Sequence, residues 1–129
     1  SFAVDVTAAS KNAGANIQLY KSNGTNAQKF HFIYSGNGFY RILNINSGMA
    51  AESVRLEPGV PCNVQQNIWN GSDSQLFRIV TNEDNSVTFV SKSGNALDVT
   101  GALMQNSTNI QTYPSNGTKA QKWFLQTIT

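Results

Sequence analysis

Short runs of alternating apolar and polar residues separated by turn residues make up most of this chain, and no window carries the three-and-four spacing of an amphipathic helix. The first four runs are Phe2–Val6, Asn16–Tyr20, Lys29–Tyr34 and Phe39–Ile45. Ala50–Val54, Asn63–Asn67, Leu76–Val80 and Val87–Val90 follow, then Ala96–Val99, Asn109–Tyr113 and Trp123–Ile128. Gly, Asn and Ser clusters bound them, as expected for strands joined by turns. In Lys29–Tyr34, Phe30 and Phe32 alternate with Lys29 and His31, which assigns the aromatics to one face and His31 to solvent. The pattern predicts an all-β chain of eleven strands, grouped four, four and three.

The grouping reflects an internal repeat. From Asp98, Asn109-Ile110-Gln111 begins 11 positions on, Tyr113 lies at 15, Asn116-Gly117 at 18, Gln121 at 23 and Trp123 at 25. Asp5 reproduces the spacing with Asn16-Ile17-Gln18, Tyr20, Asn23-Gly24, Gln28 and Phe30. Glu52 anchors the middle copy, with Asn63-Val64-Gln65, then Asn67 in place of tyrosine, Asn70-Gly71, Gln75 and Phe77. A period near 46 residues means repeated supersecondary units. Three units are too few for a propeller, so the pattern predicts a β-trefoil with pseudo-threefold symmetry, repeats 1–48, 49–94 and 95–129. Phe30, Phe77 and Trp123 are expected in the core with Ile17, Val64 and Ile110, while Gln28, Gln75 and Gln121 satisfy buried backbone groups. Eleven runs leave a twelfth strand unaccounted for. Because the two internal anchors follow Asn46-Ser47-Gly48 and Lys92-Ser93-Gly94, that strand is expected upstream of Ser1, in a longer parent polypeptide; a strand missing or lent by a neighbour is the alternative.

Composition narrows function by exclusion. At 129 residues, 40% hydrophobic and 12% charged, the chain is read as one domain able to bury a core without staples. The formal charge is +2, and its nine Lys and Arg residues are scattered singly, so no footprint for nucleic acid or an anionic membrane is present. No apolar run is long enough to cross a bilayer. The single cysteine, Cys62, excludes an intramolecular disulfide and a cysteine-rich zinc site, and no metal or cofactor is expected.

The threefold Asp or Glu, the Asn-Ile-Gln-x-Tyr run, the Asn-Gly-Thr turn and the Gln-x-aromatic run together resemble the ricin B-chain-like lectins and the family 13 carbohydrate-binding modules. The resemblance spans the whole chain, with three motifs in register. It implies a β-trefoil carrying one shallow sugar site per repeat, in which the anchor carboxylate accepts hydrogen bonds from ring hydroxyls and an aromatic ring stacks on the sugar. Carried onto this sequence, the first site comprises Asp5, Gln18, Tyr20 and Asn23, and the third comprises Asp98, Gln111, Tyr113 and Asn116. The middle site, Glu52, Asn67 and Asn70, lacks the stacking ring and reads as degenerate; Trp69 lies two positions on, where a family site places no ring. The chain departs from the family in having Ala27, Ser74 and Ala120 before the motif glutamines, where Asn is frequent, and in lacking its cysteine pairs. Sugar identity stays open. The resemblance further implies a secreted or cell-surface protein and a parent chain in which catalytic or adhesive domains are joined to this one.

Two rival readings bear on the same residues. Asp5 and Asp98 could bond only to nearby turn amides, as Asp commonly does; nothing about a turn, however, demands Tyr at 15 positions in the same two repeats. Asn23, Asn70, Asn106 and Asn116 match the glycosylation acceptor pattern, but three of them fall at one repeat position in Asn-Gly pairs, which turn chemistry explains. Catalysis is not expected: the three anchors occupy separate lobes, and one histidine, His31, and one cysteine support no triad. A protein-binding or inhibitory trefoil is the alternative, since fold alone does not select a ligand.

Overall fold

The computed structural model describes residues 1–128. Ten strands form among them: β1 (Phe2–Val6), β2 (Ile17–Lys21), β3 (Phe30–Gly36), β4 (Phe39–Asn44), β5 (Ala50–Ser53), β6 (Cys62–Asn67), β7 (Phe77–Thr81), β8 (Val87–Ser91), β9 (Asn95–Val99) and β10 (Ile110–Pro114). One-turn 3-10 helices punctuate them at Thr7–Ala9, Asn26–Gln28, Asp73–Gln75, Thr100–Ala102 and Lys119–Gln121. Each motif glutamine is therefore the last residue of such a turn, just before the strand or bridge that its aromatic opens.

The pairing follows the repeat. β1–β2, β5–β6 and β9–β10 are antiparallel, and their registers set Asp5 opposite Gln18, Glu52 opposite Gln65 and Asp98 opposite Gln111. β3–β4 and β7–β8 form hairpins, and neighbouring repeats join where Tyr40 of β4 meets Phe77 of β7 and Val87 meets Trp123. The fold is a β-trefoil. Its pseudo-threefold relation is visible in one ring of side chains: Asn16 Nδ2 donates to Asn109 Oδ1 at 2.8 Å, Asn109 Nδ2 to Asn63 Oδ1 at 2.8 Å, and Asn63 Nδ2 to Asn16 Oδ1 at 2.9 Å. These are the asparagines that open the three Asn-Ile/Val-Gln runs. Because every donor in the ring meets an acceptor, three amides can sit together where the lobes converge.

Alternation sends Val6, Ile17, Leu19, Val64, Val99 and Ile110 into one core, all at most 3% exposed. Phe77 is fully enclosed at 0% exposure. Phe30 and Trp123, expected beside it, are only half-buried and pack against the margin of the core. His31 faces solvent as the alternation requires, and Cys62 is buried and free.

The eleventh expected strand is corrected. Among the described residues, the run from Trp123 to Ile128 holds one bridge, in which Val87 N donates to Trp123 O at 2.7 Å and Trp123 N to Val87 O at 2.9 Å; Thr129 lies outside the described residues. Beyond Trp123 the run is exposed, with Phe124 at 73% and Leu125 at 52%. Among the described residues the run has no hairpin partner. β3 and β7 are each held by the strand that follows them, whereas alternation alone cannot fix residues 124–128 in a ladder with no second strand beside them.

Burial ranks the three motif aromatics. Phe77→Ala should destabilise the domain by about 3–5 kcal/mol in urea unfolding, the usual cost of emptying an aromatic site that cannot collapse. Trp123→Ala should cost clearly less, and equal losses would contradict the placement of Trp123 at the margin.

Candidate functional site

Each repeat builds the same polar cluster from the same four positions. In the first, Gln28 Nε2 donates to Asp5 Oδ2 at 2.9 Å and to the Lys21 carbonyl at 2.9 Å, while Gln28 Oε1 accepts the Asn23 amide at 2.9 Å. Gln18 Nε2 donates to the other carboxylate oxygen, Asp5 Oδ1, at 3.2 Å. In the third, Gln121 bonds Asp98 Oδ2, the Pro114 carbonyl and the Asn116 amide at 2.9, 3.0 and 2.9 Å, and Gln111 Nε2 reaches Asp98 Oδ1 at 3.1 Å. Gln75 repeats the pattern on Glu52 Oε1, the Ile68 carbonyl and the Asn70 amide, and Gln65 donates to Glu52 Oε2 at 2.9 Å. The motif glutamines thus satisfy backbone groups as expected and also grip the anchors, a role that sequence reasoning missed.

The carboxylates are sunk. Asp5 and Asp98 are 5% exposed, yet their partners are glutamine side chains rather than the turn amides of the rival reading. An ionised carboxylate offers about four acceptor positions, and two donors occupy each of these. The remaining lone pairs are oriented by groups that are themselves fixed. Asn23 and Asn116 are locked differently: each Oδ1 accepts from the backbone and hydroxyl of the threonine two residues on, at 2.7–3.1 Å. This side-chain turn leaves each Nδ2 without a partner among the described residues. Gly24 and Gly117 hold the tight turn at φ of +70° and +69°, a conformation glycine adopts without a Cβ penalty.

In the third lobe the expected residues come together. Asp98, Gln111, Tyr113 and Asn116 line one pocket of about 380 Å³, joined by Thr100, Gly101 and Ala102. Tyr113 stands at its rim at 37% exposure, and Thr100 Oγ1 is shielded from solvent with no partner among the described residues. Another wall of the pocket is the 3-10 turn Thr100–Ala102, with Gly101 and Ala102 at φ of +63° and +54°. Its counterpart in the first lobe is Thr7–Ala9, with Ala8 and Ala9 at +54° and +52°, a left-handed pair that costs non-glycine residues energy and is held only by its surroundings. This wall was not read from the sequence. Its signal is the shared Asp-Val-Thr of Asp5-Val6-Thr7 and Asp98-Val99-Thr100, which the middle repeat replaces with Glu52-Ser53-Val54.

The middle lobe differs in three connected ways. Asn67, where the others have tyrosine, turns its Nδ2 onto Glu52 Oε2 at 3.2 Å, so the longer carboxylate already carries three donors. No 3-10 turn follows β5, and Val54 is 42% exposed where the wall should stand. Asn70 retains its turn, Oδ1 accepting the Ser72 amide at 2.9 Å. Trp69 lies beyond the end of β6 with the Arg41 guanidinium 4.8 Å over its ring, so one of its faces is taken. Among the described residues no group of three His, Cys, Asp or Glu could hold a metal ion, and no helix is long and apolar enough to cross a membrane.

The fold agrees with what known proteins show. The family model of the ricin-type beta-trefoil lectin domain matches residues 1–123. Among solved structures, a designed 3-fold symmetric protein, ThreeFoil, is 31% identical with a TM-score of 0.93, over 97% of this chain and 90% of that one. An exo-beta-1,3-galactanase from Clostridium thermocellum is 25% identical with a TM-score of 0.90, over 97% of this chain but only 27% of its own. The Rhizoctonia solani agglutinin, at 24% identity and a TM-score of 0.82 over 94% of this chain and 83% of its own, shares the fold. No curated protein matches the chain in sequence.

The grip can be tested apart from any ligand. Gln121→Leu leaves Asp98 Oδ2, the Pro114 carbonyl and the Asn116 amide without their partner, and should cost about 1–3 kcal/mol of stability in urea unfolding, the usual penalty for stranded buried polar groups. An unchanged unfolding midpoint would mean that the network carries no load.

Proposed function

The chain belongs to the ricin-type beta-trefoil lectin family, a family of carbohydrate-binding domains that are generally non-catalytic, and from that premise we propose that it binds glycans through the first and third lobes while the middle lobe is inactive. The observation that carries this reading is the difference in free acceptor capacity: Asp5 and Asp98 each hold two donors, whereas Glu52 holds three. A pyranose presents a C–H face that packs on an aromatic ring and a rim of hydroxyls that an oriented carboxylate accepts. Tyr20 and Tyr113 supply the ring, and Asp5 and Asp98 the acceptor. The free Nδ2 groups of Asn23 and Asn116 supply a donor at the other edge. Gln18 and Gln111 act through the carboxylates that they orient, as positioning residues.

One ring and a few hydrogen bonds hold a monosaccharide only weakly, with a dissociation constant of about 1 mM. Retention follows when two lobes engage one polysaccharide or a cluster of glycans, because the second contact is then intramolecular. The role we infer is to place a larger extracellular or cell-surface protein on glycans, with residues 1–129 as one domain of it. The part of the galactanase that matches is 27% of it, so there the same fold is one part of a larger enzyme.

A glycan and polysaccharide panel tests this. The domain should bind a subset of the panel, and free sugar should displace it. The Tyr20→Ala/Tyr113→Ala double variant should lose at least tenfold in avidity while keeping its unfolding midpoint, and Glu52→Ala should bind as the parent does. Binding that survives loss of both tyrosines would overturn the assignment, and a folded domain that retains no glycan but captures protein would favour the inhibitor-like reading. In the reverse direction, Glu52→Asp/Asn67→Tyr frees the middle carboxylate from the Asn67 amide and adds a ring, so it should raise avidity if those two residues are what closes that lobe.

A further inference from the structure

The Lys and Arg residues lie singly along the sequence, yet folding gathers three of them on aromatic rings where the first and middle lobes meet. Tyr40 of β4 pairs with Phe77 and Ile42 enters the core, so alternation turns Phe39 and Arg41 to the outer face. There Arg78 Cζ lies 4.3 Å and Lys92 Nζ 4.9 Å from the centre of the Phe39 ring, and the Arg41 guanidinium covers Trp69. Lys92 also donates to Asp73 Oδ1 at 2.9 Å. These contacts join β4, β7 and the segment between β6 and β7 into one patch. It holds three cations and one carboxylate. That balance of +2 equals the formal charge of the entire chain, so the other six Lys and Arg are matched by the other six Asp and Glu.

The two arginines answer no carboxylate. Among the described residues the ion pairs are Lys92 with Asp73 and Arg55 with Glu57, and Arg41 Nε is shielded with no partner at all. A ring holds a guanidinium by its face and leaves the in-plane N–H groups free, and this fork is what meets an oxyanion through two parallel bonds. The Arg78 group is seated against Gly38 as well, where an added Cβ would come within 2.6 Å of Nη1. The repeat does not ask for this arrangement. At the next joint, 46 or 47 residues on, Phe39, Arg41, Trp69 and Arg78 are replaced by Ser86, Thr88, Ser115 and Phe124, and Val87 still pairs with Trp123 as Tyr40 does with Phe77.

We propose that this patch takes an anionic substituent of a polysaccharide, a sulfate ester or a carboxylate, on the guanidinium edges of Arg41 and Arg78. Both arginines are on one face, because Phe39, which carries the Arg78 group, and Arg41 are two residues apart on the same strand. A polysaccharide fits better than an acidic peptide by position. Trp69 immediately precedes the Asn70-Gly71 turn, and the counterparts of that turn, Asn23-Gly24 and Asn116-Gly117, edge the two proposed sugar sites. A glycan chain that reaches those lobes can therefore lay a charged substituent on the joint beside the inactive one. The inference names the class of glycan and rests on the lobe reading for the sugar chain, while the anion contact rests on the arginines.

Retention on dextran sulfate, carboxymethyl dextran and neutral dextran of equal chain length tests this. The domain should be held at least tenfold better by one of the charged polymers than by the neutral one, and the stronger of the two identifies sulfate or carboxylate. Arg41→Gln/Arg78→Gln should abolish that preference, whereas Lys11→Gln/Lys119→Gln, which removes the same charge elsewhere, should keep it. Arg41→Lys/Arg78→Lys preserves the charge and should still weaken retention at least threefold, since an ammonium does not reproduce the fork. Equal losses in the arginine and lysine pairs, or full retention by the lysine-for-arginine variant, would reduce the effect to net charge and overturn the proposal. Equal retention on polyglutamate would overturn it in favour of an acidic protein. A domain that binds no neutral glycan yet holds a charged polymer through Arg41 and Arg78 would sink the lobe reading and keep the patch. One that binds neutral glycans through its tyrosines with no preference for charge would do the reverse.

Discussion

Everything distinctive about this domain depends on three glutamine side chains that each tie a carboxylate to a turn. Gln28, Gln75 and Gln121 spend their amide hydrogens on an anchor oxygen and a strand-end carbonyl, and their oxygens on the amide that opens the Asn-Gly turn. A buried carboxylate is costly unless its charge is met by donors, and here the donors are held by the same turn that would present a ligand. In the proposed function, stability and recognition share one network. The carboxylate can be kept at 5% exposure and still aim its unused lone pairs, because it cannot turn away without breaking bonds that the fold requires.

The middle lobe departs from threefold symmetry at two positions. Asn67 in place of tyrosine loses the apolar platform and fills an acceptor with its own amide. Val54 in place of threonine removes the left-handed wall that Thr7–Ala9 and Thr100–Ala102 provide. A lobe that keeps its glutamine grip but loses these two features remains a sound structural third of the trefoil. At the joints, Phe77 is sealed by β4, while Phe30 and Trp123 are only half-buried.

Much of this was legible in the sequence because the repeat is indexed by side chains with fixed duties. The period and the all-β class follow from spacing alone, and the resemblance that the spaced motifs carry implies the grouping of Asp98, Gln111, Tyr113 and Asn116, which line one pocket. Three things did not. Gln28, Gln75 and Gln121 could be read as backbone partners, but that one amide also reaches a carboxylate 23 residues away is a matter of three-dimensional reach. The asparagine ring joins Asn16, Asn63 and Asn109 from three repeats, and a position that looks like one more polar residue per strand becomes an axis only after folding. Trp123–Ile128 has the alternation of a strand, yet alternation specifies a face and not a partner, so only its first residue is bridged.

The central claim is that the first and third carboxylates meet a sugar and the middle one does not, and side-chain amide NMR reads each lobe separately. Gln18 and Gln111 touch Asp5 and Asp98, while Gln65 touches Glu52, and each sits at the base of its own lobe. When the protein is titrated with the sugar that displaces it from the glycan panel, the Gln18 and Gln111 amide signals should shift in step with saturation and the Gln65 signal should stay in place. Equal movement of all three, or movement of Gln65 alone, would contradict the account.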